Sequence, residues 1–340
     1  MKTKAVYPFT AIVGQEEMKT ALLLSIVMPS LGGVLIKGEK GTAKSTAVRA
    51  AAALLPNLQA VVGCACHCDP ARPELYCDAC QKRRVVGELP REEVSMRVVE
   101  LPVSATEDRV VGTLDMEEAI QHGRRAFEPG ILAAANRNIL YVDEINLLED
   151  HIVDILLDSA AMGVNTVERE GISYAHPARF ILIGTMNPEE GDIRPQLLDR
   201  FALSVTVVGE CETEMRVEVI RRRISYERDP DAFASMYRAE QEQLRTKLVE
   251  ARQRVAHVEV PDEILGYAAQ ISLMLDVDGH RADITLIKAS VAHAALAGRM
   301  MVTVEDLQRV SRLVLAHRMR RRPFEEGAVD WSAVDAILGG

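Results

Sequence analysis

The sequence predicts an α/β core, with a parallel sheet between layers of helices, followed by a smaller all-helical domain. Short aliphatic runs alternate with helical patterns over the first two-thirds of the chain, and strand patterns stop after about Glu210. This alternation is typical of βαβ units, whose parallel sheets are covered on both faces. The predicted strands are residues 34–37, 97–101, 139–142, 180–183 and 203–207.

Helical patterns account for the rest of the predicted architecture. Residues 44–55 and 150–161 suit crossover helices, and a polar helical stretch spans about 231–254. Three more helices are predicted at 261–275, 283–297 and 304–319, the first of them opening with a proline. We expect a core at 1–225 with a cysteine-rich insert at about 60–95, a helical linker at 226–255 and a helical domain at 256–340.

Composition limits the function classes. The chain has 340 residues and a formal charge of −10, which makes nucleic acid an unlikely partner because phosphate binding needs basic surface. The arginine clusters at 221–223 and 320–322 are interpreted as helix-end or solvated charge. The longest apolar run, 21–28, is far short of the roughly 20 residues that cross a bilayer, so we expect no membrane contact and a cytoplasmic protein.

A glycine-bearing loop between the first predicted strand and the first crossover helix carries the main chemical motif. In such P-loops, backbone N–H groups and the helix N-terminus bind phosphates, a lysine contacts the β- and γ-phosphates, and a hydroxyl binds Mg²⁺. Lys44 and Ser45 match the last two roles, whereas Ala43 stands where glycine is usual. The predicted ATP–Mg²⁺ contacts are Gly38, Gly41, Thr42, Ala43, Lys44, Ser45 and Thr46.

Two later strands end in polar residues that suit the same site. The strand at 139–142 runs into Asp143, a candidate metal contact, and Glu144, which can polarise an attacking water. Asn187 follows the strand at 180–183 and can orient that water. Taken singly, these residues also fit a helix start and a turn before Pro188. Their order, about 100 residues after the P-loop, favours the catalytic interpretation.

Two arginines are candidate catalytic residues. Arg200 precedes the last core strand and could stabilise transition-state charge on the nucleotide of a neighbouring subunit, as arginine fingers do. The alternative is a surface ion pair with Asp199, worth under about 1 kcal/mol. Arg281 opens a helix of the C-terminal domain and could bring a second positive charge to the γ-phosphate.

Five of the six cysteines cluster within residues 64–80, a spacing that favours metal ligands over disulfides in a cytosolic protein. The candidate zinc ligands are Cys64, Cys68, Cys77 and Cys80. Cys66 and His67 are alternative ligands, and an iron–sulfur cluster or unligated, redox-active thiols are alternative uses of the segment. The isolated Cys211 is expected to be a buried small side chain.

These motifs resemble those of the AAA+ ATPase subunit of magnesium chelatase, from about residue 7 to residue 320. Ala43 matches the P-loop of that family. The family-specific segments are 8–15, 105–112, 127–130, 168–173 and 184–201. The resemblance implies an AAA+ core followed by a helical lid domain, with an insert in the second core helix at 103–130 and a hairpin at 163–178. It also assigns Asn187 the sensor-1 role.

The resemblance further implies a homo-oligomeric ring of six subunits with ATP at the subunit interfaces. It implies two partners: a middle subunit with AAA+-like and integrin-type domains, and a large porphyrin-binding subunit. In this scheme the chain hydrolyses ATP and does not touch the porphyrin, while the large subunit inserts Mg²⁺ into protoporphyrin IX.

Three other functions share this motor architecture. The chain could drive cobalt insertion into a corrin precursor, because metal and tetrapyrrole would contact other subunits. It could be a MoxR-like AAA+ ATPase that remodels a metalloenzyme. A DNA-remodelling ring is the third alternative, and the acidic balance of the chain counts against it.

Overall fold

The computed structural model describes residues 5–115, 126–169, 172–277, 279–319 and 331–338. Its helices are α1 Glu16–Val27, α2 Lys44–Ala53, α3 Asp78–Arg84, α4 Glu107–Val111, α5 Ile131–Ala135, α6 Asp150–Met162, α7 Pro195–Leu198, α8 Thr213–Arg228, α9 Pro230–Met236, α10 Arg238–Arg254, α11 Asp262–Met274, α12 Arg281–Leu296, α13 Val304–Leu315 and α14 Trp331–Leu338. Its strands are β1 Val34–Gly38, β2 Leu58–Val61, β3 Arg91–Val94, β4 Val98–Leu101, β5 Gly112–Asp115, β6 Ala126–Pro129, β7 Ile139–Val142, β8 Val164–Arg169, β9 Ile172–Pro177, β10 Ile181–Met186 and β11 Leu203–Val207.

The contacts of the chain divide it into two compact units. One combines residues 1–37 with 193–340, and the other comprises residues 38–192. All five predicted strands are present, and the two crossover helices correspond to α2 and α6. The domain boundaries expected from the motifs, at 225 and 255, remain a prediction, because this division follows spatial contacts rather than motifs.

The unit of residues 38–192 is built around three parallel strands in the order β10, β7, β4. Every residue of β7 and β10 is buried, as expected for central strands covered on both faces. Helix α6 packs against β10 and β8. Because parallel strands end at the same edge, the residues that follow β7 and β10 are brought together.

Among the described residues of this unit, three antiparallel strand pairs accompany the parallel strands, and each falls in a segment expected to be an insert. Strands β2 and β3 pair within the cysteine-rich segment, β5 and β6 within 103–130, and β8 and β9 within 163–178. Residues 116–125 and 170–171 of the last two segments lie outside the described residues.

In the other unit, β1 and β11 are neighbouring strands and α1 packs against β11. Helix α12 is central to the helical part, since it contacts α1, α10, α11 and α13. Its buried face carries Ala289, Ala292 and Ala295, each 0% exposed. Such small side chains let helices approach closely. Among the described residues, no helix is long and apolar enough to cross a membrane.

The predicted polar helical stretch is confirmed with one break, whereas the placement of the arginine cluster 221–223 at a helix end is wrong. The polar stretch at 231–254 forms two helices, α9 and α10, separated at Tyr237, whose ring packs 5.1 Å from that of Phe233. The arginine cluster 221–223 does not end a helix, because α8 continues to Arg228. Its side chains pair with glutamates of the same helix, which supports the solvated-charge interpretation. The second cluster, 320–322, lies outside the described residues.

A buried carboxylate, Asp306, ties the start of α13 to its neighbours. Its Oδ2 accepts hydrogen bonds from the backbone N–H and the hydroxyl of Thr303, at 2.8 and 2.9 Å, which completes a capping box. Its Oδ1 contacts His293 Nδ1 at 2.6 Å and the guanidinium of Arg299. Burial alone would raise the pKa of Asp306, but these hydrogen bonds outweigh burial and hold it below its usual range.

Replacing Asp306 with Asn should destabilise the chain by about 1–3 kcal/mol, because the contacts of this buried carboxylate with Thr303, His293 and the half-buried Arg299 lose their charge. Urea unfolding measures this loss. Since the folded pKa of Asp306 is lowered, its contribution is present above the unfolded value of about 3.9 and disappears as pH falls through the folded pKa. The difference in free energy of unfolding between the wild type and Asp306→Asn should therefore shrink as pH falls below about 4.

The control for this prediction is Glu305→Gln in the same helical turn, where the side chain is exposed and the expected change is within about 0.5 kcal/mol. Equal urea midpoints for Asp306→Asn and the wild type would show that the buried carboxylate does not stabilise this unit.

Candidate nucleotide site

The loop between β1 and α2 contains two residues with positive φ immediately before the helix begins. Gly41 has φ +87°, and Ala43 has φ +62° in the left-handed region that favours glycine. A non-glycine residue held there costs on the order of 1–3 kcal/mol and is typical of functional sites. Helix α2 begins at the next residue, Lys44, so the N–H groups of its first turn are available to an anion.

Within this loop, Lys44 is folded onto backbone carbonyls. Its Nζ donates to the carbonyl oxygens of Gly38 and Glu39, the latter at 2.9 Å, and the Thr42 hydroxyl donates to the same Glu39 oxygen at 2.9 Å. Burial lowers the pKa of Lys44, and the nearby carboxylates of Asp143 and Glu144 oppose that shift. A phosphate would be a stronger partner for this ammonium than neutral carbonyls are.

At the end of β7, two hydroxyl groups hold the Asp143 carboxylate. Tyr141 donates to Asp143 Oδ1 at 2.9 Å, and Thr185 donates to the same oxygen at 2.5 Å. Burial raises the pKa of Tyr141, which keeps its hydroxyl protonated as a donor. Both hydrogen bonds reach Oδ1. Within the described residues, Oδ2 therefore stays available to a metal ion or its water, and a carboxylate oxygen is a ligand that Mg²⁺ prefers.

The motifs give no indication of Tyr141 and Thr185, which become apparent only from the strand register. Side chains alternate along a strand, so Tyr141 and Asp143 lie on one face. The pairing of Ile183 with Tyr141 then places Thr185 opposite Asp143. The position of Thr185 opposite Asp143 therefore follows from the pairing of β7 with β10 and not from the local sequence of either strand.

Glu144 follows directly in a left-handed conformation, with φ 52° and ψ 50°. Its backbone N–H faces the Thr185 hydroxyl at 3.4 Å, and its carboxylate lies 3.6 Å from Lys40 Nζ. Lys40 also pairs with Glu190 at 2.5 Å. Hydrogen bonds from Lys40 and Asn187 hold the pKa of Glu190 below its usual range, while Glu190 raises that of Lys40.

Asn187 is buried at the end of β10, with 6% of its surface exposed. Its Oδ1 accepts the N–H of Glu189 at 3.3 Å, which caps the short turn that begins at Pro188. Asn187 therefore does lie in a turn before Pro188, as the alternative interpretation predicted. The same contact holds the amide at the edge where Asp143 and Glu144 emerge, and its water-orienting role remains a prediction.

The two predicted catalytic arginines belong to the other unit, and their catalytic roles remain predictions. Arg281 NH1 donates to Asp199 Oδ2 at 2.6 Å. Arg318, a buried residue that the motif analysis missed, also contacts the Asp199 carboxylate, at 3.4 Å. Burial lowers the pKa of Arg318 to about 10, with Asp199 opposing the shift. Arg200 immediately follows Asp199 and is half-buried.

The four predicted zinc ligands come together in the β2–β3 insertion. The sulfur atoms of Cys64, Cys68, Cys77 and Cys80 all lie within 4.8 Å of one another. Hydrogen bonds from Cys66 and Cys68 hold the pKa of the Cys64 thiol well below its usual range. The expectation for Cys211 is wrong: this cysteine is exposed and contacts the carbonyl of Gly209, because it lies in the loop between β11 and α8.

Two segments of the chain match known domain families. Residues 80–201 match the AAA domain of the dynein-related subfamily, and residues 266–337 match the AAA lid domain. With the parallel strands and the helical bundle described above, these matches confirm the predicted fold class: an AAA core followed by a helical lid.

The chain is similar over nearly its whole length to proteins named as magnesium-chelatase subunits. It is 54% identical to the magnesium-chelatase subunit ChlI homolog of Methanocaldococcus jannaschii, covering 98% of this chain and 91% of that protein. It is also 54% identical to the magnesium-chelatase 38 kDa subunit of Acidiphilium rubrum, covering 95% of this chain and 93% of that protein.

Solved structures are similar as well. One comes from the complex between subunits BchI and BchD of magnesium chelatase, with a TM-score of 0.57, 49% identity and coverage of 98% of this chain and 100% of that chain. A putative ATPase from Cytophaga hutchinsonii has a TM-score of 0.63 at 18% identity, covering 97% of this chain and 90% of that chain. At that identity, the second similarity concerns the fold alone.

Replacing Thr185 with Val should weaken Mg²⁺-dependent ATP hydrolysis about 10- to 100-fold, the usual effect of removing a group that orients a metal ligand. The side chain is buried, and Val keeps its shape while removing the donor to Asp143 Oδ1. ATPase rates measured against Mg²⁺ concentration should show a raised half-saturation point.

The matched control is Thr166→Val on the exposed face of β8, which should leave the Mg²⁺ dependence unchanged. If Thr185→Val also left it unchanged, the hydrogen bond to Asp143 would have no part in metal binding.

Proposed function

The chain belongs to the magnesium-chelatase ATPase subunit family, called ChlI or the 38 kDa subunit, and from this premise we propose that it is the ATP-hydrolysing motor of a magnesium chelatase. The observation that carries the proposal is the convergence of the P-loop with Asp143, Glu144 and Asn187 in one unit. The motor would supply conformational work for Mg²⁺ insertion into protoporphyrin IX by a large catalytic subunit.

In this proposal each nucleotide-site residue has one task. Lys44 leaves the loop carbonyls to contact the β- and γ-phosphates, and the N–H groups at the start of α2 bind the phosphate oxygens. Ser45 and Asp143 would hold the Mg²⁺ that accompanies ATP, which neutralises phosphate charge. Glu144 polarises the attacking water, and Asn187 orients it.

The proposed cofactors are therefore ATP and Mg²⁺. A Zn²⁺ ion at the cysteine cluster would be separate from this chemistry. The cysteine segment contacts Asn136 and Arg137, which precede β7, whereas Asp143 and Glu144 follow its other end.

We further propose a homo-oligomeric ring, with six subunits, in which Arg200 acts on the nucleotide of the adjacent subunit and Arg281 reports nucleotide state to the lid. The partners would be a middle AAA+/integrin-type subunit and a large porphyrin-binding subunit, in the cytoplasm. Similarity to a chain from the complex of BchI with BchD supports the middle-subunit partnership.

The test is reconstitution of this chain with the middle and large subunits of a magnesium chelatase, followed by Mg-protoporphyrin fluorescence. We expect ATP-dependent insertion with the wild type. Glu144→Gln should keep nucleotide binding but lose both hydrolysis and insertion, because the amide cannot accept the proton of the attacking water. Glu189→Gln, an exposed neighbour of the site, is the matched control and should retain insertion.

Two outcomes would contradict parts of this proposal. Normal hydrolysis by Glu144→Gln would remove Glu144 from the water-activating role. ATP turnover without Mg²⁺ insertion, in complexes that demonstrably assemble, would instead favour the motor of a cobalt chelatase or a MoxR-like protein remodeller.

A further inference from the structure

The four sulfur atoms of the cysteine cluster are spaced as ligands of a single metal ion. The Sγ atoms of Cys64 and Cys77 lie 3.8 Å apart, and no pair in the set of four is separated by more than 4.8 Å. A tetrahedral zinc site with Zn–S bonds of about 2.3 Å places its sulfurs about 3.8 Å from one another. All four cysteines are free thiols rather than disulfide partners.

The backbone presents these sulfurs from two short segments. Tight turns after β2 bring Cys64 and Cys68 together: Cys64 N–H donates to the Val61 carbonyl, and Val61 N–H donates to the Cys68 carbonyl. Between them, His67 takes a left-handed conformation with φ 45°. The second segment contributes Cys77 and Cys80, and Cys77 N–H donates to the sulfur of Cys68 at 3.2 Å. N–H donors to sulfur commonly support metal-bound thiolates.

Apolar packing alone gives this insertion little support. The buried cluster between its hairpin and α3 consists mainly of cysteine, with Val61, Tyr76 and Leu89 as its larger apolar members. Cys68, Cys77 and Cys80 are 1%, 3% and 0% exposed. Segments below roughly 40 residues usually need a metal, disulfides or a partner to fold, and the insertion at residues 58–94 is of that size.

We infer that Cys64, Cys68, Cys77 and Cys80 hold one structural Zn²⁺ ion. Four thiolates close the coordination sphere, so the ion has no open position for substrate or water. Binding would release the thiol protons to solvent, and its free energy would contribute to folding of the insertion. Cys66 and His67 do not belong to the set whose ligand atoms lie mutually close.

A single ion fits these spacings better than the other uses of the cysteines. An iron–sulfur cluster places several iron and sulfide atoms between its thiolates, which requires more room than the observed 4.8 Å. The sulfurs of a disulfide are bonded at about 2.05 Å, whereas the sulfurs of Cys64 and Cys77 lie 3.8 Å apart, and all four cysteines are free.

The inferred ion would also fix the surface that docks against the start of β7. Asn136 Nδ2 donates to the Cys66 carbonyl at 2.6 Å, and Arg137 donates to the His67 carbonyl at 3.2 Å. Arg137 also forms an ion pair with Asp69 at 3.2 Å. These acceptors lie between or next to the ligand cysteines, so losing the ion would release them from the strand that ends in Asp143.

The first experiment measures the metal content of the purified full-length chain by inductively coupled plasma mass spectrometry, after dialysis against a chelator. We expect about one zinc per chain, the stoichiometry of a four-cysteine site. In Cys77→Ser the bound zinc should fall at least about tenfold. Cys211→Ser, which changes an exposed cysteine, and Cys66→Ser should both retain the metal.

Because a ligand variant could fail to fold, the wild type is also titrated with a mercurial reagent while a chromophoric chelator records zinc release. Release of about one zinc as four thiols react supports the inference. Iron with visible absorption, a disulfide within the cluster, or free thiols without metal would each overturn it. Loss of zinc in Cys66→Ser would overturn the ligand set. None of these measurements depends on ATPase or chelatase activity.

Discussion

The parallel pairing of β7 with β10 determines where the side chains of the proposed nucleotide site lie. Both strands are fully buried, and their register places Thr185 opposite Asp143, close enough for a 2.5 Å hydrogen bond. A slip by one residue would turn these side chains to opposite faces. The buried aliphatic side chains of the two strands therefore fix the position of the polar residues at the edge of the sheet. Glu144 and Asn187 follow the strands at that edge.

This edge holds its charges in internal contacts that ATP can replace. Lys44 binds loop carbonyls, while Lys40 pairs with Glu190 and lies near Glu144. The Lys40 side chain is 70% exposed, and ion pairs at such sites contribute at most about 1 kcal/mol. Phosphates can therefore displace these contacts at little cost. That exchange would free Glu144 for a water molecule when nucleotide is bound.

Much of this arrangement could be predicted because local sequence determines it. Aliphatic runs identified the buried strands, and the order of P-loop, Asp143-Glu144 and Asn187 predicted residues that the fold brings into one unit. Tyr141 and Thr185 could not be found in this way, since their roles depend on register between strands that are distant in sequence. The contacts of Lys40 and Arg318 depend likewise on folded geometry. Cys211 was wrongly placed because composition alone does not determine exposure.

In the cysteine insertion, the spacing of residues along the chain does not decide which side chains form the ligand set. Spacing predicted Cys77 and Cys80 as a metal knuckle completed by Cys64 and Cys68, and it left Cys66 and His67 as alternative ligands. Only the mutual distances of the folded sulfurs separate these sets. The segment also contacts residues that precede β7, so the same strand links a candidate metal site at its start to the nucleotide carboxylates at its end.

The P-loop and the end of β7 are proposed to form one ATP–Mg²⁺ site. Its most direct test is an experimental structure of the chain with Mg²⁺ and a non-hydrolysable ATP analogue. We predict that Lys44 Nζ leaves the carbonyls of Gly38 and Glu39 for the phosphates, with the metal between Ser45 and Asp143. Nucleotide bound elsewhere, or phosphates in this loop with Lys44 still on its carbonyls, would show that these residues do not form the proposed site.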